Sequence, residues 1–126
     1  MKTANAPRRA GFTLVEIMIV VAIIGLLAAI AIPNFIKSRA TSQANACINN
    51  LRQIESACQQ VAIAQNLGPG AVINYPTDIT PYLKLNSAGS IPPCPAGGTY
   101  SLLAVGQNPQ SQCSLSSTVT PSHVLP

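Results

Sequence analysis

Few side chains in this sequence are strong candidates for chemistry, and the most distinctive are the cysteines and the single histidine. The chain has one histidine, His123, and four cysteines, at positions 47, 58, 94 and 113. Cysteines can form disulfides, bind metals or remain thiols, and a four-cysteine zinc site usually draws on close Cys-x-x-Cys pairs. The spacings here are 11, 36 and 19 residues. We therefore expect no zinc site.

No group of residues predicts catalysis. His123 has no acid or hydroxyl that can be assigned to it as a triad partner, and we expect it to lie on the surface. Asp78 is the only carboxylate after Glu55, whereas calcium binding needs clustered carboxylates. We predict that the protein is not an enzyme and holds neither a metal nor another cofactor.

The most unusual acid is Glu16, because it is the one charge in the apolar stretch from Phe12 to Ile32. A helix over these 21 residues would be roughly 32 Å long, which is enough to cross a bilayer. An ionised carboxylate costs about 2.5 to 3.5 kcal/mol near the centre of such a helix and therefore needs a partner. The simplest interpretation is that Glu16 lies near one end and extends toward Arg8 and Arg9.

The positive charge is concentrated before this stretch. The net charge is +4, and Lys2, Arg8 and Arg9 supply three of those charges. The remaining chain has four cations against three acids and no basic patch interleaved with aromatic residues, so no nucleic-acid site is predicted. The basic residues instead predict that the N-terminus stays in the cytoplasm while the rest of the chain is exported.

After Pro33 the sequence predicts an amphipathic helix that continues to about Asn66 and ends at the segment 67–70. Apolar residues recur at alternating spacings of three and four and form one narrow stripe: Ala40, Ala44, Cys47, Leu51, Ile54, Cys58 and Val61. Within the apolar stretch, Gly25 and Pro33 weaken the helix. They predict either a fixed kink or a local opening.

Short elements are predicted beyond residue 70. Residues 77–85 fit one or two helical turns capped by Thr77 or Asp78, with Ile79, Tyr82 and Leu83 facing inward. Residues 98–106 and 112–119 are predicted to form two antiparallel strands connected through a turn at 108–109. The predicted fold class is α+β, a long N-terminal helix packed on a short antiparallel sheet.

About the first 36 residues carry a specific family resemblance. The segment MKTANAPRRAGFTLVEIMIVVAIIGLLAAIAIPNF resembles the leader and N-terminal helix of type IV pilins and type II secretion pseudopilins. The resemblance implies that a prepilin peptidase cleaves after Gly11 and that the new N-terminal residue, Phe12, is methylated. It also implies that Glu16 pairs with the N-terminal amine of a neighbouring subunit, and that Gly25 and Pro33 bracket a segment of helix that opens on polymerisation.

The resemblance implies a domain order and a function. Residues 1–11 would be the leader, 12–35 the transmembrane and assembly segment, and 36–126 a small globular domain, together forming a lollipop. The subunit would wait in the inner membrane and then polymerise into an extracellular or periplasmic filament, driven by an assembly platform and its ATPase. We favour a type IV pilus subunit. The alternatives are a major pseudopilin of type II secretion and, in another class, a membrane-tethered or secreted binding module that never polymerises.

This topology would place all four cysteines where disulfides form. Cys47 and Cys58 are roughly 16 Å apart along one helix, beyond the ~7 Å limit for bridged α-carbons. The predicted hairpin brings Cys94 and Cys113 together, so we predict a bridge between them and expect the two helix cysteines to remain thiols. Two bridges, each joining a helix cysteine to one of the later cysteines, are the alternative.

We predict that the mature chain begins at Phe12 with a methylated amine, and the intact mass of the protein purified from membranes tests this. An ordinary secretory signal with its cleavage site at the small residues 29–31 would instead give a chain that begins at Ile32. That mass would exclude the pilin-like interpretation.

Overall fold

The computed structural model describes residues 11–125, which form one long helix and a small sheet. Helix α1 spans Leu14–Ala64, a 3₁₀ helix spans Thr80–Tyr82, and strands β1 and β2 span Tyr100–Leu102 and Ser111–Cys113. This is the predicted α+β class. The chain divides into two compact units between Ile36 and Lys37. Apart from Gly11, the predicted leader lies outside the described residues.

The first unit contains the apolar part of α1. The large apolar side chains from Phe12 to Ile36 are all more than half exposed. One 18-residue window of the helix has a mean hydropathy of 2.9, so by length and composition this helix can cross a membrane. Both Gly25 and Pro33 are helical. The opening of the helix between them on polymerisation stays a prediction.

A backbone motif, rather than the glycines that follow, ends α1. Asn66 has a positive φ of 51°, and the N–H groups of Asn66 and Leu67 donate to the carbonyls of Ile63 and Ala62 at 3.3 and 2.8 Å. These bonds form a Schellman motif with asparagine in the left-handed position. The helix therefore ends within two residues of the predicted position.

The second unit is built on the predicted stripe. Six of the seven predicted residues are buried, Ala40 is half-buried, and Ala57 is buried in addition. The core that they form with residues from the rest of the unit consists of Cys47, Leu51, Ile54, Ala57, Cys58, Val61, Ile73, Ile79, Cys94, Tyr100 and Cys113. The helical periodicity therefore identified the packed face correctly.

The sheet is an antiparallel hairpin, as predicted, but each strand has only three residues. Tyr100 pairs with Cys113, and Leu102 pairs with Ser111. The predicted continuation of the first strand pairs elsewhere, since the Val105 N–H donates to the Ala71 carbonyl at 2.9 Å. The second strand gives way to turns after Cys113. Competition from residues 70–71 thus explains the shortened first strand.

Polar side chains of α1 hold the hairpin and the loop before it. The Glu55 carboxylate accepts hydrogen bonds from the backbone N–H groups of Gln110 and Ser111, at 3.1 and 2.9 Å. The Ser111 hydroxyl donates to the Leu51 carbonyl at 3.2 Å, and the Asn50 amide donates to the Tyr100 hydroxyl at 3.1 Å. Bonds to an ionised acceptor are worth about 1.5 to 3 kcal/mol each, so Glu55 is an important anchor for β2.

The predicted helical turn near residue 80 is shorter than expected, and its predicted caps are wrong. Ile79 occupies the N-cap position without a side-chain hydrogen bond. The Asp78 carboxylate instead accepts the N–H of Asn74 at 2.9 Å, which closes the preceding turn. Ile79 is fully buried and Leu83 is half-buried against the core, as predicted, but Tyr82 is exposed.

Ile54→Ala and Ile63→Ala form a matched pair on one helix. Ile54 is 1% exposed and Ile63 is 78% exposed. We expect the Ile54 change to lower the free energy of unfolding by about 2 to 5 kcal/mol, because it leaves a cavity. The Ile63 change should stay within about 0.5 kcal/mol of the parent. Urea unfolding of the full chain in detergent, followed by tyrosine fluorescence, measures both, and equal effects would contradict this core.

Candidate functional site

Two groups of residues have the geometry of functional sites, and the first lies at the start of α1. The Glu16 carboxylate accepts hydrogen bonds from the backbone N–H and the hydroxyl of Thr13, both at 2.8 Å. The Thr13 hydroxyl in turn accepts the N–H of Glu16 at 3.3 Å. This reciprocal arrangement is a capping box, with Thr13 at the N-cap and Glu16 at N3.

The capping box gives Glu16 a partner that the sequence analysis overlooked, although Thr-x-x-Glu before an apolar run is its known signature. Both Thr13 bonds go to Oε2 of Glu16, and neither uses Oε1. Gly11 and Phe12 precede the helix, and Phe12 is 85% exposed. Phe12 and Glu16 together line an open recess of about 330 Å³ along the helix.

The second site lies in the second unit, where three cysteines and the histidine meet. The ligand atoms of Cys47, Cys94, Cys113 and His123 all lie within 4.8 Å of one another, and all four residues are buried. We call this group the thiol cluster. Cys94 Sγ lies 3.4 Å from His123 Nδ1. Cys47 comes from α1, Cys113 from β2, and the other two residues from loops.

The structure differs from one expectation about these residues and leaves another untested. His123 was expected on the surface, but it is 2% exposed, because the segment after β2 folds back onto Cys94. Cys94 and Cys113 are neighbours, as the hairpin implied, but all four cysteines are free thiols. The bridge between Cys94 and Cys113 therefore stays a prediction. Cys58 is buried outside the thiol cluster.

The loop that carries Cys94 is held from both sides by α1. The Gln43 amide donates to the Pro95 carbonyl at 3.3 Å, and the Asn50 amide donates to the carbonyls of Pro92 and Pro93, both at 3.4 Å. Within the loop, the N–H of Gly97 donates to the Cys94 carbonyl at 2.9 Å. These bonds fix the direction in which Cys94 enters the core.

Gly98 leaves the space that Cys113 occupies. A Cβ atom at Gly98 would lie 2.6 Å from Cys113 Sγ, which is closer than any real contact. A side chain at this position would therefore force Cys113 Sγ to shift. Glycine at position 98 allows Cys113 to keep the position that it has in the cluster.

The surroundings favour ionisation of the Cys94 thiol and oppose ionisation of the Cys47 and Cys58 thiols. Burial opposes ionisation of Cys94, but hydrogen bonds from the backbone N–H groups of Ala96 and Gly98 and from the Cys47 and Cys113 thiols together hold its pKa below the usual value. Burial raises the pKa of the Cys47 thiol to about 12. Burial and the nearby Glu55 charge raise the pKa of Cys58 to about 11, so Cys58 behaves as a small apolar residue.

Comparison with known proteins shows the family to which this chain belongs. The profile of the prokaryotic N-terminal methylation motif matches residues 6–32. The type IV major pilin protein PilA of Myxococcus xanthus is 61% identical over 51 residues, which cover 40% of this chain and 23% of that protein. The type II secretion system core protein G of Pectobacterium carotovorum is 30% identical over 111 residues, which cover 80% of this chain and 70% of that protein. The chain belongs to the type IV pilin and type II secretion pseudopilin family.

Other relatives divide in the same way between the two branches of this pilin and pseudopilin family. The type IV major fimbrial protein FimA of Dichelobacter nodosus is 42% identical over 67 residues, which cover 43% of its length. No solved structure gives a significant match.

The methylation motif includes Gly11, Phe12 and Glu16, whereas the thiol cluster lies entirely outside it.

Proposed function

We propose that this protein is a structural subunit of a type IV pilus and that it polymerises through α1 after loss of residues 1–11. The observation that carries the proposal is the first part of α1, which is apolar and exposed on all sides and has one carboxylate in its first turn. Family membership and the methylation motif support it. The role is mechanical rather than enzymatic.

The exposed apolar surface must be covered by lipid or by other helices. Burying one such side chain is worth about 1.5 to 3 kcal/mol relative to water, so an aqueous single-chain state is strongly unfavourable. Exchange of lipid for neighbouring helices brings little further hydrophobic gain, because lipid tails are as apolar as leucine. A specific polar interaction is therefore needed to set the register between subunits in the filament.

Glu16 is suited to provide that interaction. Cleavage after Gly11 would create an ammonium group at Phe12, and Oε1 of Glu16 is not used by the capping box. In a poorly hydrated helix bundle, an ammonium and a carboxylate about 4 Å apart attract far more strongly than in water. We infer that Glu16 binds the Phe12 amine of a neighbouring subunit, and that Gly25 and Pro33 allow the helix to open during assembly.

The subunit's partners follow from this role. A prepilin peptidase would remove the leader and methylate Phe12, and an assembly platform with its ATPase would drive polymerisation. The precursor would be a single-pass inner-membrane protein with its N-terminus in the cytoplasm, and the filament would lie outside the cell or in the periplasm. The proposed segments are 1–11, 12–35 and 36–126.

The second candidate is a major pseudopilin of type II secretion. It is favoured by the length of the matches to protein G, which cover about four fifths of the chain and so include most of the second unit. The M. xanthus pilin match has higher identity but covers only 51 residues. A non-polymerising binding module is a third candidate.

Glu16→Gln and Thr13→Ala separate pairing from helix capping. Glutamine can still accept the N–H of Thr13 at N3, so Glu16→Gln keeps the cap and loses the charge. Thr13→Ala keeps the charge and weakens the cap by about 1 kcal/mol. We expect Glu16→Gln to insert normally and to lose most filament assembly. Thr13→Ala keeps the backbone N–H bond to Glu16 and should lose much less.

The measurement is the amount of subunit in sheared, pelleted filaments relative to the amount in membranes. Normal assembly of Glu16→Gln at equal abundance would contradict the pairing role and leave capping or snorkelling as the function of the residue. Loss of assembly in Thr13→Ala alone would point to capping as the essential interaction.

Deletion of the chain in its host distinguishes the two filament systems. For a pilus subunit we expect sheared surface filaments to disappear while export of secreted enzymes continues. Loss of enzyme export with surface filaments intact would instead establish the pseudopilin. If this chain is never recovered in filaments and neither process changes, the binding-module class is correct.

A further inference from the structure

We propose that Cys47, Cys94, Cys113 and His123 form a tetrahedral zinc site in the second unit. The four ligand atoms lie within 4.8 Å of one another inside the core. Three thiolates and one imidazole are a standard ligand set for structural Zn²⁺. The proposal concerns the second unit alone and is independent of how, or whether, the filament forms.

The observed distances are close to those that zinc requires. Zinc–sulfur bonds of about 2.3 Å and zinc–nitrogen bonds of about 2.1 Å place the ligand atoms of a tetrahedral site about 3.5 to 3.8 Å apart. The distance of 3.4 Å between Cys94 Sγ and His123 Nδ1 already fits. The widest pair, at no more than 4.8 Å, has to close by about 1 Å, which side-chain rotation can provide.

The chemistry of the ligands selects the metal. Calcium and magnesium require oxygen ligands, and this cluster offers only sulfur and nitrogen. Soft thiolates with an imidazole in tetrahedral geometry favour zinc.

The cysteine spacings did not predict this site. Its ligands come singly from α1, two loops and β2, and only the fold brings them together.

The surroundings of the cluster support the ligands. The bonds from Gln43 and Asn50 hold the Cys94 loop on both sides. Bonds of this kind, made outside the ligand set, help to orient metal ligands. A cavity of about 180 Å³ adjoins the site and is lined in part by His123 and Cys113.

A disulfide between Cys94 and Cys113 is the competing state of the same residues. It would account for two of the four groups and leave Cys47 and His123 buried against the bridge without a role. Zinc accounts for all four. The two states exclude each other, because a bridge removes two ligands.

The test uses the full chain, extracted from membranes in detergent without oxygen and without chelators, and a thiol-trapping reagent is added only to the portion taken for peptide mapping. We expect about one zinc ion per chain by elemental analysis, and no linked cysteine peptides after non-reducing digestion. Replacement of zinc by Co²⁺ should give the absorption bands of tetrahedral thiolate coordination. Absence of stoichiometric zinc together with failure to take up added Zn²⁺, or recovery of a peptide linking Cys94 to Cys113, would overturn the proposal.

Matched variants identify the ligands. Cys58→Ser changes the buried cysteine outside the cluster and should keep full zinc binding, whereas Cys47→Ser should lose it. Because Cys47 is fully buried and a change there also disturbs the core, His123 provides a second pair. His123→Cys should still bind, and His123→Gln should bind at least about tenfold more weakly, because even outer-shell losses cost 10- to 100-fold. Zinc affinity of His123→Gln equal to that of the parent would also overturn the proposal.

Discussion

The second unit depends on one constraint, which is that a single stripe of a single helix provides the surface on which the buried residues of the later segments pack. Two strands of three residues cannot form a stable sheet by themselves, and here they pack on Leu51, Ile54 and their neighbours in α1. The stripe is narrow and has small residues at several positions. The later segments can therefore approach the helix closely, and the core is completed by long-range contacts rather than by a second layer of helices.

Because this core is small, hydrogen bonds from polar side chains of α1 are important for holding the second unit together. Glu55 fixes the start of β2, Asn50 reaches both the loop before Cys94 and the Tyr100 hydroxyl, and each of these contacts joins residues more than 40 positions apart. Bonds to backbone groups of irregular segments satisfy donors and acceptors that no sheet would otherwise pair. The helix thus acts as the template for a region that has little regular structure.

The features that the sequence predicted are those set by local periodicity. The buried stripe, the helix end near Asn66 and the antiparallel hairpin all follow from spacing or turn residues within short windows. The strand lengths did not follow, because Val105 pairs with Ala71 across a long loop. The burial of His123 was equally inaccessible, since it depends on where residues far apart along the chain meet. The capping box of Thr13 and Glu16 is also local, and its Thr-x-x-Glu signature could have been recognised from the sequence.

The helix cap that Glu16 forms with Thr13 is compatible with the proposed pairing of Glu16 with a neighbouring amine, and the cap supports that pairing. A glutamate on an uncapped helix end could adopt several rotamers, and ordering it on assembly would cost up to about 2 kcal/mol of side-chain entropy. Thr13 already holds Oε2 by two bonds at 2.8 Å, so much of that ordering precedes contact with a neighbour. The bonds leave Oε1 as the oxygen that remains to accept an ammonium group. A preorganised carboxylate at a helix start is therefore better suited to set register than a flexible one, even though the isolated chain gives it an internal partner.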